Sequence, residues 1–361
     1  MVWPERYSII QLKTAVISLL LPVLVTISLQ VTGQDRSKYD LLTERYVERP
    51  VAVHAGQLQI NTGYEFSIIN KIYDFDGNSL DLTEEGVVSA RHLFPLEIKF
   101  GVIEFLQVRT KISYANQVIR FQDNKFYMGY GTITRKEIET TRGPDDLLAC
   151  VDLTVPIPSE ILNWVVTAGM IVPLFGHDPE QPDHTVEYLD PFPGSMNIRY
   201  NYLNKFSRGI PRGVLGTSIK IRLQKLAVSG HAFMEASLKE GESIHWESRL
   251  INQEIEYKKV PYSYDLGQTI DFGGTIAYQA IDWLALFASC AGSKTSGGWT
   301  TITGKKVAQG PITLHMVAAG YEIQVSPVLR IKQLIYYPVK GENILAPWIF
   351  ETGIGLNFMT Y

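Results

Sequence analysis

Residues 57–68 read QLQINTGYEFSI, and this stretch decides the fold. Apolar or bulky positions from Leu58 to Ile68 alternate with polar or small positions from Gln57 to Ser67, and the phase holds throughout. Successive side chains of a β-strand point to opposite faces, whereas no helical stripe passes through these residues. The stretch therefore predicts a long strand with one apolar and one polar face.

The same alternation recurs along the chain. Strong runs cover residues 94–102, 106–114, 215–223, 262–278 and 348–358. Weaker runs lie near residues 145–155, 163–173, 195–203, 228–239, 244–257, 284–291, 312–323 and 328–337. After residue 33 no segment is convincingly helical. The chain is therefore predicted to be all-β, with about fourteen strands, or twelve to fourteen within the error of such a count.

Connections between these runs fall into two length classes. Very short joins occur at residues 103–106, 281–284 and 325–328, and long polar joins occur near residues 69–90, 115–144, 175–194 and 292–311. Short turns at one end and long loops at the other are typical of an outer-membrane barrel, with the short turns in the periplasm.

A soluble β-sandwich or jelly roll is the structural alternative, because its strands alternate too. Strands of ten or more residues fit a tilted membrane span, whereas globular strands usually have about five or six residues. Aromatic residues also fall near strand ends, where interfacial girdles belong. They are Tyr64, Phe66, Phe94, Tyr114, Trp164, Tyr262, Tyr278, Trp283, Tyr337 and Trp348. We therefore predict a closed antiparallel transmembrane β-barrel.

The polar phase of the strands is heavily ionised, and in a barrel that phase lines a wet lumen. The candidate lumen-lining residues are Glu65, Glu97, Lys99, Arg109, Lys111, Asp152, Arg199, Lys220, Arg222, Asp265, Asp271, Arg330, Lys332 and Glu351. With Lys239 and Glu235 added, nine bases face seven acids, so the excess is two positive charges. Strong ion selectivity is therefore not predicted.

Hydrogen bonding requires such a barrel to close. An open sheet edge in lipid leaves unpaired N–H and C=O groups, so the last strand must pair with the first, near Leu58. The C-terminal strand is also the element that barrel-assembly machinery generally recognises. Phe358 keeps its apolar phase, whereas Tyr361 falls in the opposite phase. Outer-membrane lipid and the assembly machinery are therefore the expected macromolecular partners.

Residues 1–33 are predicted to be a signal peptide. Arg6 and Lys13 supply positive charge, and an apolar stretch follows over residues 15–29. A membrane anchor is the alternative, but the stretch is short and contains Pro22. Residues 34–55, of mixed charge, are expected to hang in the periplasm or to plug the lumen, and residues 56–361 to form the barrel. The expected location is the outer membrane of a Gram-negative-type bacterium after cleavage.

Composition excludes several classes of protein. The 361 residues are 45% apolar and 19% charged, with a net charge of −4 and a mean hydropathy of +0.01. The chain is too polar for a bundle of membrane helices and too apolar for a disordered chain. It has no basic footprint for nucleic acid. Cys150 and Cys290 are too few for a disulfide scaffold.

Three stretches carry a family resemblance. They are residues 49–64, the strand FPLEIKFG at 94–101 with its turn at 103–106, and GPDDL at 143–147. They resemble the outer-membrane channel family named for the "MetA-pathway of phenol degradation", and more distantly the long-chain fatty-acid transporter barrels. The chain departs from the family before Gly56, where a denser acidic run is usual. The resemblance implies a passive pore for small solutes, including apolar or aromatic compounds.

Two sets of residues contain side chains of the types that bind metals or act in hydrolysis. The loop at 176–184 contains His177, Asp178, Asp183 and His184, which would suit a metal or an activated water, but a solvated acidic loop is the favoured explanation. His231, His245 and His315 have no serine placed beside them by a motif, and Gly-x-Ser-x-Gly is absent.

We therefore predict no enzyme activity, no catalytic residue, no metal and no cofactor. The predicted function is a passive outer-membrane channel or transporter for small solutes. A structural or secretion-partner barrel and a barrel hydrolase are the alternatives.

Overall fold

The computed structural model describes Val53 and residues 55–74, 76–81, 87–127, 131–157, 161–174, 185–188, 194–197, 207–251, 254–302, 304–326 and 328–359. Within these ranges every regular element is a β-strand. No helix in this part of the chain is long and apolar enough to cross a membrane. The predicted signal peptide and residues 34–52 lie outside the described residues.

Twelve long strands form a closed antiparallel barrel. They are β1 (Gln57–Tyr73), β3 (Val87–Ile103), β4 (Leu106–Tyr127), β6 (Leu147–Thr154), β7 (Leu162–Val172), β10 (Arg212–Leu223), β11 (Leu226–Ser237), β14 (Gln268–Ile281), β15 (Leu284–Ser296), β18 (Ile312–Gln324), β19 (Leu329–Glu342) and β20 (Ile344–Met359). Each pairs with the next in this order. β20 pairs back onto β1 with Leu58 opposite Phe358, which confirms the predicted closure.

Eight shorter or peripheral strands extend the loops at one end. They are β2 (Ser79–Asp81), β5 (Gly131–Pro144), β8 (Thr185–Tyr188), β9 (Gly194–Asn197), β12 (Gly241–Ile251), β13 (Glu254–Asp265), β16 (Trp299–Ile302) and β17 (Lys305–Ala308). β12, β13, β16 and β17 form a separate four-stranded sheet. The described barrel strands thus number twelve, at the lower limit predicted. Of the fourteen predicted runs, the one near residues 244–257 belongs to this second sheet, and the one near residues 195–203 coincides, in its described part, only with peripheral β9.

The run at residues 262–278 is two strands, not one. β13 ends at Asp265 and β14 begins at Gln268. Gly267 has a φ of +71°, and its N–H donates to Asp265 Oδ1 at 2.7 Å. A glycine tolerates this left-handed conformation, and an Asp side chain commonly stabilises such a turn. Period-two alternation continues across the turn, so the sequence pattern does not mark it.

The two ends of the barrel differ as predicted. Tight turns join β3 to β4, β10 to β11, β14 to β15 and β18 to β19, and the described part of β1 starts at the same end. We call this the short-turn end. At the opposite, long-loop end, a tight turn at Asn343 joins the barrel strands β19 and β20. There Asn343 has a φ of +53°, and its N–H donates to the Asp74 carbonyl.

Asp74 stabilises the neighbouring turn between β1 and β2. Its carboxylate accepts the N–H groups of Asp76 and Asn78 and the Asn78 side-chain amide. The side-chain and backbone hydrogen bonds from Asn78 hold the pKa of Asp74 below its usual value. The turn therefore keeps its charged anchor to a lower pH than an isolated Asp side chain would.

The outward face of the barrel is apolar. Leu96, Ile98, Val108, Ile219 and Ile276 are all exposed, although each alternates with an inward residue. Tyr337 and Trp348 pack edge to face on this surface with ring centroids 4.7 Å apart. An exposed apolar belt with aromatic residues near its edge is the surface that lipid requires. Tyr262 is an exception to the predicted girdle, because it lies on β13 outside the barrel.

Candidate functional site

The barrel encloses a cavity of about 440 Å³. Its wall comes mainly from β1, β3, β4, β19 and β20, with one or two side chains from each of β6, β15 and β18. Charged side chains such as Lys99 and Arg109 line the part nearer the short-turn end. Leu93, Met316 and Ile349 line the part nearer the long-loop end. The cavity is therefore amphiphilic along the barrel axis.

Asp152 is the centre of the charged floor of the cavity. Its carboxylate accepts hydrogen bonds from Gln107 Nε2 at 2.6 Å and Thr167 Oγ1 at 2.7 Å. Arg109 Nε lies 3.3 Å from Asp152 Oδ2. Register explains the meeting, because Gln107 lies opposite Asp152 across β4 and β6, and Asp152 lies opposite Thr167 across β6 and β7. Asp152 is 0% exposed, so its charge is balanced within the barrel wall.

Glu97 extends this network toward the cavity. It lies 3.5 Å from both Lys99 Nζ and Arg109 Nη1, and its Oε2 accepts from Asn61 Nδ2 at 2.9 Å. Glu97 also lies opposite Lys111 across β3 and β4. A carboxylate surrounded by basic groups and an amide donor remains charged although it is buried. The floor is therefore an ionised layer and not a neutral one.

The floor layer closes much of the short-turn end. Seven of its polar side chains, from six strands, are each at most 4% exposed: Gln59, Lys99, Gln107, Arg109, Asp152, Glu322 and Arg330. Val53, 1% exposed, adds a residue from outside the barrel strands. The Val53 N–H donates to Gln107 Oε1 at 2.7 Å. The chain that leads into β1 therefore packs inside the short-turn end of the lumen.

A second ionic group lines the side of the cavity. Lys332 Nζ lies 2.6 Å from Glu351 Oε1, and the Tyr336 hydroxyl donates to Glu351 Oε2 at 3.2 Å. Glu65 lies directly opposite Glu351 across β1 and β20. Lys332 thus neutralises one of two carboxylates that would otherwise repel each other.

Apolar side chains fill the opposite side of the lumen. Phe287, Leu334 and Tyr336 form a buried cluster with alanines of β11, β14, β15 and β18. Phe233, with Ile171 and Val214, forms a second cluster. Gly216 makes room for the Phe233 ring, because an added Cβ would lie 2.2 Å from Phe233 Cδ1. The open space therefore lies against the charged side of the barrel.

Lys111 is the accessible cation of the cavity wall. It is exposed, although it lies on an inward-facing position of β4, and it lines the cavity. Among the described residues, no carboxylate lies within 4 Å of its ammonium group. In the lining as a whole, five bases and four acids leave one positive charge. The bases are Lys99, Arg109, Lys111, Arg330 and Lys332, and the acids are Glu65, Glu97, Glu322 and Glu351.

The structure brings together eight of the fourteen candidate lumen residues in this cavity. They are Glu65, Glu97, Lys99, Arg109, Lys111, Arg330, Lys332 and Glu351. Asp152 does not line the cavity but contacts Arg109, which does. Lys220, Arg222 and Asp271 lie on inward-facing positions of β10 and β14. The placement of Asp265 was wrong, because it pairs with Trp299 in the second sheet. Arg199 lies outside the described residues.

Sequence reasoning missed Glu322, Met316 and Ile349, which also line the cavity. Glu322 and Met316 share the inward face of β18 with alanine and glycine, so that face is not recognisably polar. Alternation separates two faces only where they differ in polarity.

No catalytic or metal centre emerges from the described residues. No group of three His, Cys, Asp or Glu side chains among them is placed to hold a metal ion. His231 shares a small internal pocket with Thr275 and Ser289, whose hydroxyls are 2.8 Å apart. His315 lies on the outer face against Phe272. The loop candidates His177, Asp178, Asp183 and His184 lie outside the described residues.

Comparison with known proteins places the fold. No family model matches the chain, and no curated protein matches it in sequence. Among solved structures, the COG4313 outer membrane channel from Pseudomonas putida F1 is similar, with a TM-score of 0.56 and 10% identity over 90% of this chain and 100% of that one.

Weaker similarities extend to two other barrels. The autotransporter NalP translocator domain from Neisseria meningitidis has a TM-score of 0.44, at 10% identity over 85% of this chain and 90% of that one. The CymD monoaromatic hydrocarbon channel has a TM-score of 0.42, at 8% identity over 86% and 89%. Neither carries an argument here. The chain has the fold of a closed outer-membrane β-barrel, in the twelve-stranded form.

Proposed function

We propose that this protein is a passive outer-membrane channel for small solutes. The observation that carries the proposal is the cavity of about 440 Å³ enclosed by the barrel. Small-molecule sites commonly have volumes of about 300–1,000 Å³. Because positive and negative charges in the cavity wall nearly balance, the cavity suits solutes of low net charge. The apolar part of the wall, nearer the long-loop end, suits molecules that have an apolar face. Apolar and aromatic compounds are the proposed solute class.

The proposal also assigns orientation and location. Short turns of outer-membrane barrels lie in the periplasm and long loops lie outside, so the charged floor faces the periplasm. Delivery to the outer membrane would follow removal of residues 1–33 and recognition of β20 by assembly machinery. No enzyme activity is proposed, because the cavity contains paired acids and bases and no arrangement of nucleophile and base is evident in the lining.

Purified barrel in planar bilayers and in proteoliposomes tests the function. We expect discrete single-channel conductance, and swelling of liposomes in arabinose and in small aromatic alcohols. The control is an equal amount of the heat-denatured protein. Absence of both conductance and swelling from a correctly folded barrel would favour a structural or secretion-partner role instead.

Reversing the charge of Lys111 is expected to reverse the weak ion preference. The lining changes from five bases and four acids to four bases and five acids, so an excess of one positive charge becomes an excess of one negative charge. Lys111→Glu should shift the reversal potential under a KCl gradient toward cation preference. Lys225→Glu, in the exposed turn between β10 and β11, is the matched control and should leave it unchanged. An equal shift in both variants would contradict the role of Lys111.

Deleting residues 34–52 is expected to raise the single-channel conductance. Val53 is buried against Gln107 at the short-turn end of the lumen, so a segment joined to it can reach the ion path. Removing nineteen residues of mixed charge should widen the ion path. Planar-bilayer recording provides the measurement, and unchanged conductance would mean that the segment hangs free in the periplasm.

A further inference from the structure

The small internal pocket around His231 borders the main cavity. It has a volume of about 10 Å³, and its polar wall consists of His231, Thr275 and Ser289. Ala291 and Tyr336 line both this pocket and the cavity. The polar groups therefore lie one side chain away from a solute in the cavity. We call this space the His231 recess.

Strand register builds the polar wall of the recess. Thr275 lies directly opposite Ser289 across β14 and β15, and their hydroxyl oxygens are 2.8 Å apart. His231 lies on β11 opposite Gly273, and its imidazole ring extends over that glycine. An added Cβ on Gly273 would lie 2.7 Å from His231 Cε1. A larger residue at this position would displace the ring, so the glycine allows the imidazole and the hydroxyl pair to share one small space.

Small side chains keep the recess open toward the cavity. The row that begins at Ser289 continues to Ala318 on β18 and from there to Tyr336 on β19. Ala318 and Ala291 both line the recess, and their methyl groups leave space between the hydroxyl pair and the Tyr336 ring. The Tyr336 hydroxyl donates to Glu351 Oε2 at 3.2 Å. Tyr336 therefore contributes its ring to the recess, while its hydroxyl is engaged on the cavity side.

The size and polarity of the recess fit a single oxygen atom. One water molecule or one hydroxyl group needs about 10–15 Å³ and several polar partners. Of Thr275 and Ser289, one hydroxyl donates to the other, and the accepting hydroxyl keeps its own proton for a further oxygen. The neutral imidazole of His231 supplies one donor and one acceptor. The recess therefore suits a hydroxyl group, which both donates and accepts, and is too small for a carboxylate or a ring.

The part of the cavity beside the recess is apolar. Met316 lies opposite Ala291, and Ile349 lies opposite Tyr336. Both Met316 and Ile349 line the cavity. A solute with its hydroxyl in the recess would place its remaining atoms against these side chains and the Tyr336 ring. A hydroxyl group can replace a water molecule in the recess and reproduce its hydrogen bonds, whereas a methyl group cannot.

We propose that the His231 recess and the apolar wall beside it form a binding site for small alcohols, in which one hydroxyl group is attached to an apolar body. The three polar side chains of the recess bind the hydroxyl, and the apolar wall binds the body. The proposal rests on the channel function argued above. It adds the chemical group that the channel recognises and the residues that recognise it.

Binding to the purified barrel in lipid nanodiscs tests the proposal. It is followed by NMR through the ring Cε1–H signal of His231. The chain has seven histidines, so this signal is assigned by its loss in His231→Gln. Benzyl alcohol is compared with toluene, which has the same ring and no hydroxyl, at equal free aqueous concentration. We expect benzyl alcohol to shift the His231 signal and to bind about tenfold more tightly than toluene, as one or two additional hydrogen bonds would give.

Two variants remove the hydroxyl groups one at a time. Ser289→Ala deletes one of them, and Thr275→Val deletes the other with little change in shape. Each is expected to weaken the preference for benzyl alcohol by about three- to fivefold. The matched control is Ser293→Ala, which lies further along the same face of β15 and does not line the recess. This control should keep the full preference, and a dispersed NMR spectrum shows that each variant is folded.

The possible outcomes separate the site from the channel function. Equal affinity for the two probes, or an unchanged preference in both Ser289→Ala and Thr275→Val, would overturn the site. A His231 signal that benzyl alcohol leaves unchanged would mean that the recess holds water only, which would overturn it as well. Binding does not require conduction. A barrel that binds benzyl alcohol selectively but passes no ions in planar bilayers would overturn the channel function alone.

Discussion

Asp152→Ala is expected to lower the free energy of unfolding of the barrel by about 3–5 kcal/mol, as measured by urea titration in detergent or lipid. The substitution leaves Arg109 buried with only the more distant carboxylate of Glu97. It also removes the acceptor of the hydrogen bonds from Gln107 and Thr167. An unpaired buried charge and unsatisfied donors are each costly, so the effect should be large.

The same substitution should raise the ion conductance, because the floor layer loses the carboxylate that holds Gln107 and Arg109 in place. Asp152→Asn keeps one acceptor oxygen and should fall between the wild type and the alanine variant in stability. Glu240→Ala is the matched control, since it breaks the Lys306–Glu240 pair at 3.1 Å, where both side chains are 60% exposed. Exposed pairs contribute about 0–1 kcal/mol, so similar destabilisation in the two alanine variants would refute the importance of burial.

Much of the fold follows from period-two alternation, and the exceptions have physical causes. β1, β3 and β10 alternate between apolar and polar faces, so their phase was predicted correctly. β1 and β3 are longer than predicted, because they extend into the predicted join at residues 69–90, to Tyr73 and from Val87. β13 and β14 keep the same alternation through a turn at Gly267, and only the positive φ of that glycine separates them. The predicted runs also included a strand of the loop sheet, β12, because such a strand can alternate as a lipid-facing strand does.

The site was less predictable because it depends on register. Arg109 and Asp152 are 43 residues apart, and only the pairing of β4 with β6 brings them together. Glu322 was missed because the inward residues that precede it on β18, Ala318 and Gly320, are small and apolar. The periodicity within one strand predicts the face to which a side chain points. The register between strands determines which other side chains it contacts.

Ile98→Arg is expected to lower the free energy of unfolding by about 2–4 kcal/mol if this position lies near the bilayer midplane. Ile98 is 38% exposed on β3, between inward-facing Glu97 and Lys99. It lies opposite Ile60 on one side and Thr110 on the other. An arginine there would place its charge in hydrocarbon, with no lumen water within reach.

Val102→Arg provides the depth control for this prediction. Val102 is also on the outer face of β3, but it directly precedes the tight turn to β4, and it is 44% exposed. An arginine near the interface can extend its guanidinium into the headgroups, so the expected cost is about 0–1 kcal/mol. Equal costs at the two positions would show that β3 does not cross the membrane in the assigned direction and phase. A larger loss of unfolding free energy at Ile98 would instead place Ile98 near the bilayer midplane. The cavity would then lie at the same depth, because Glu97 and Lys99, which line it, are the immediate neighbours of Ile98 in the chain.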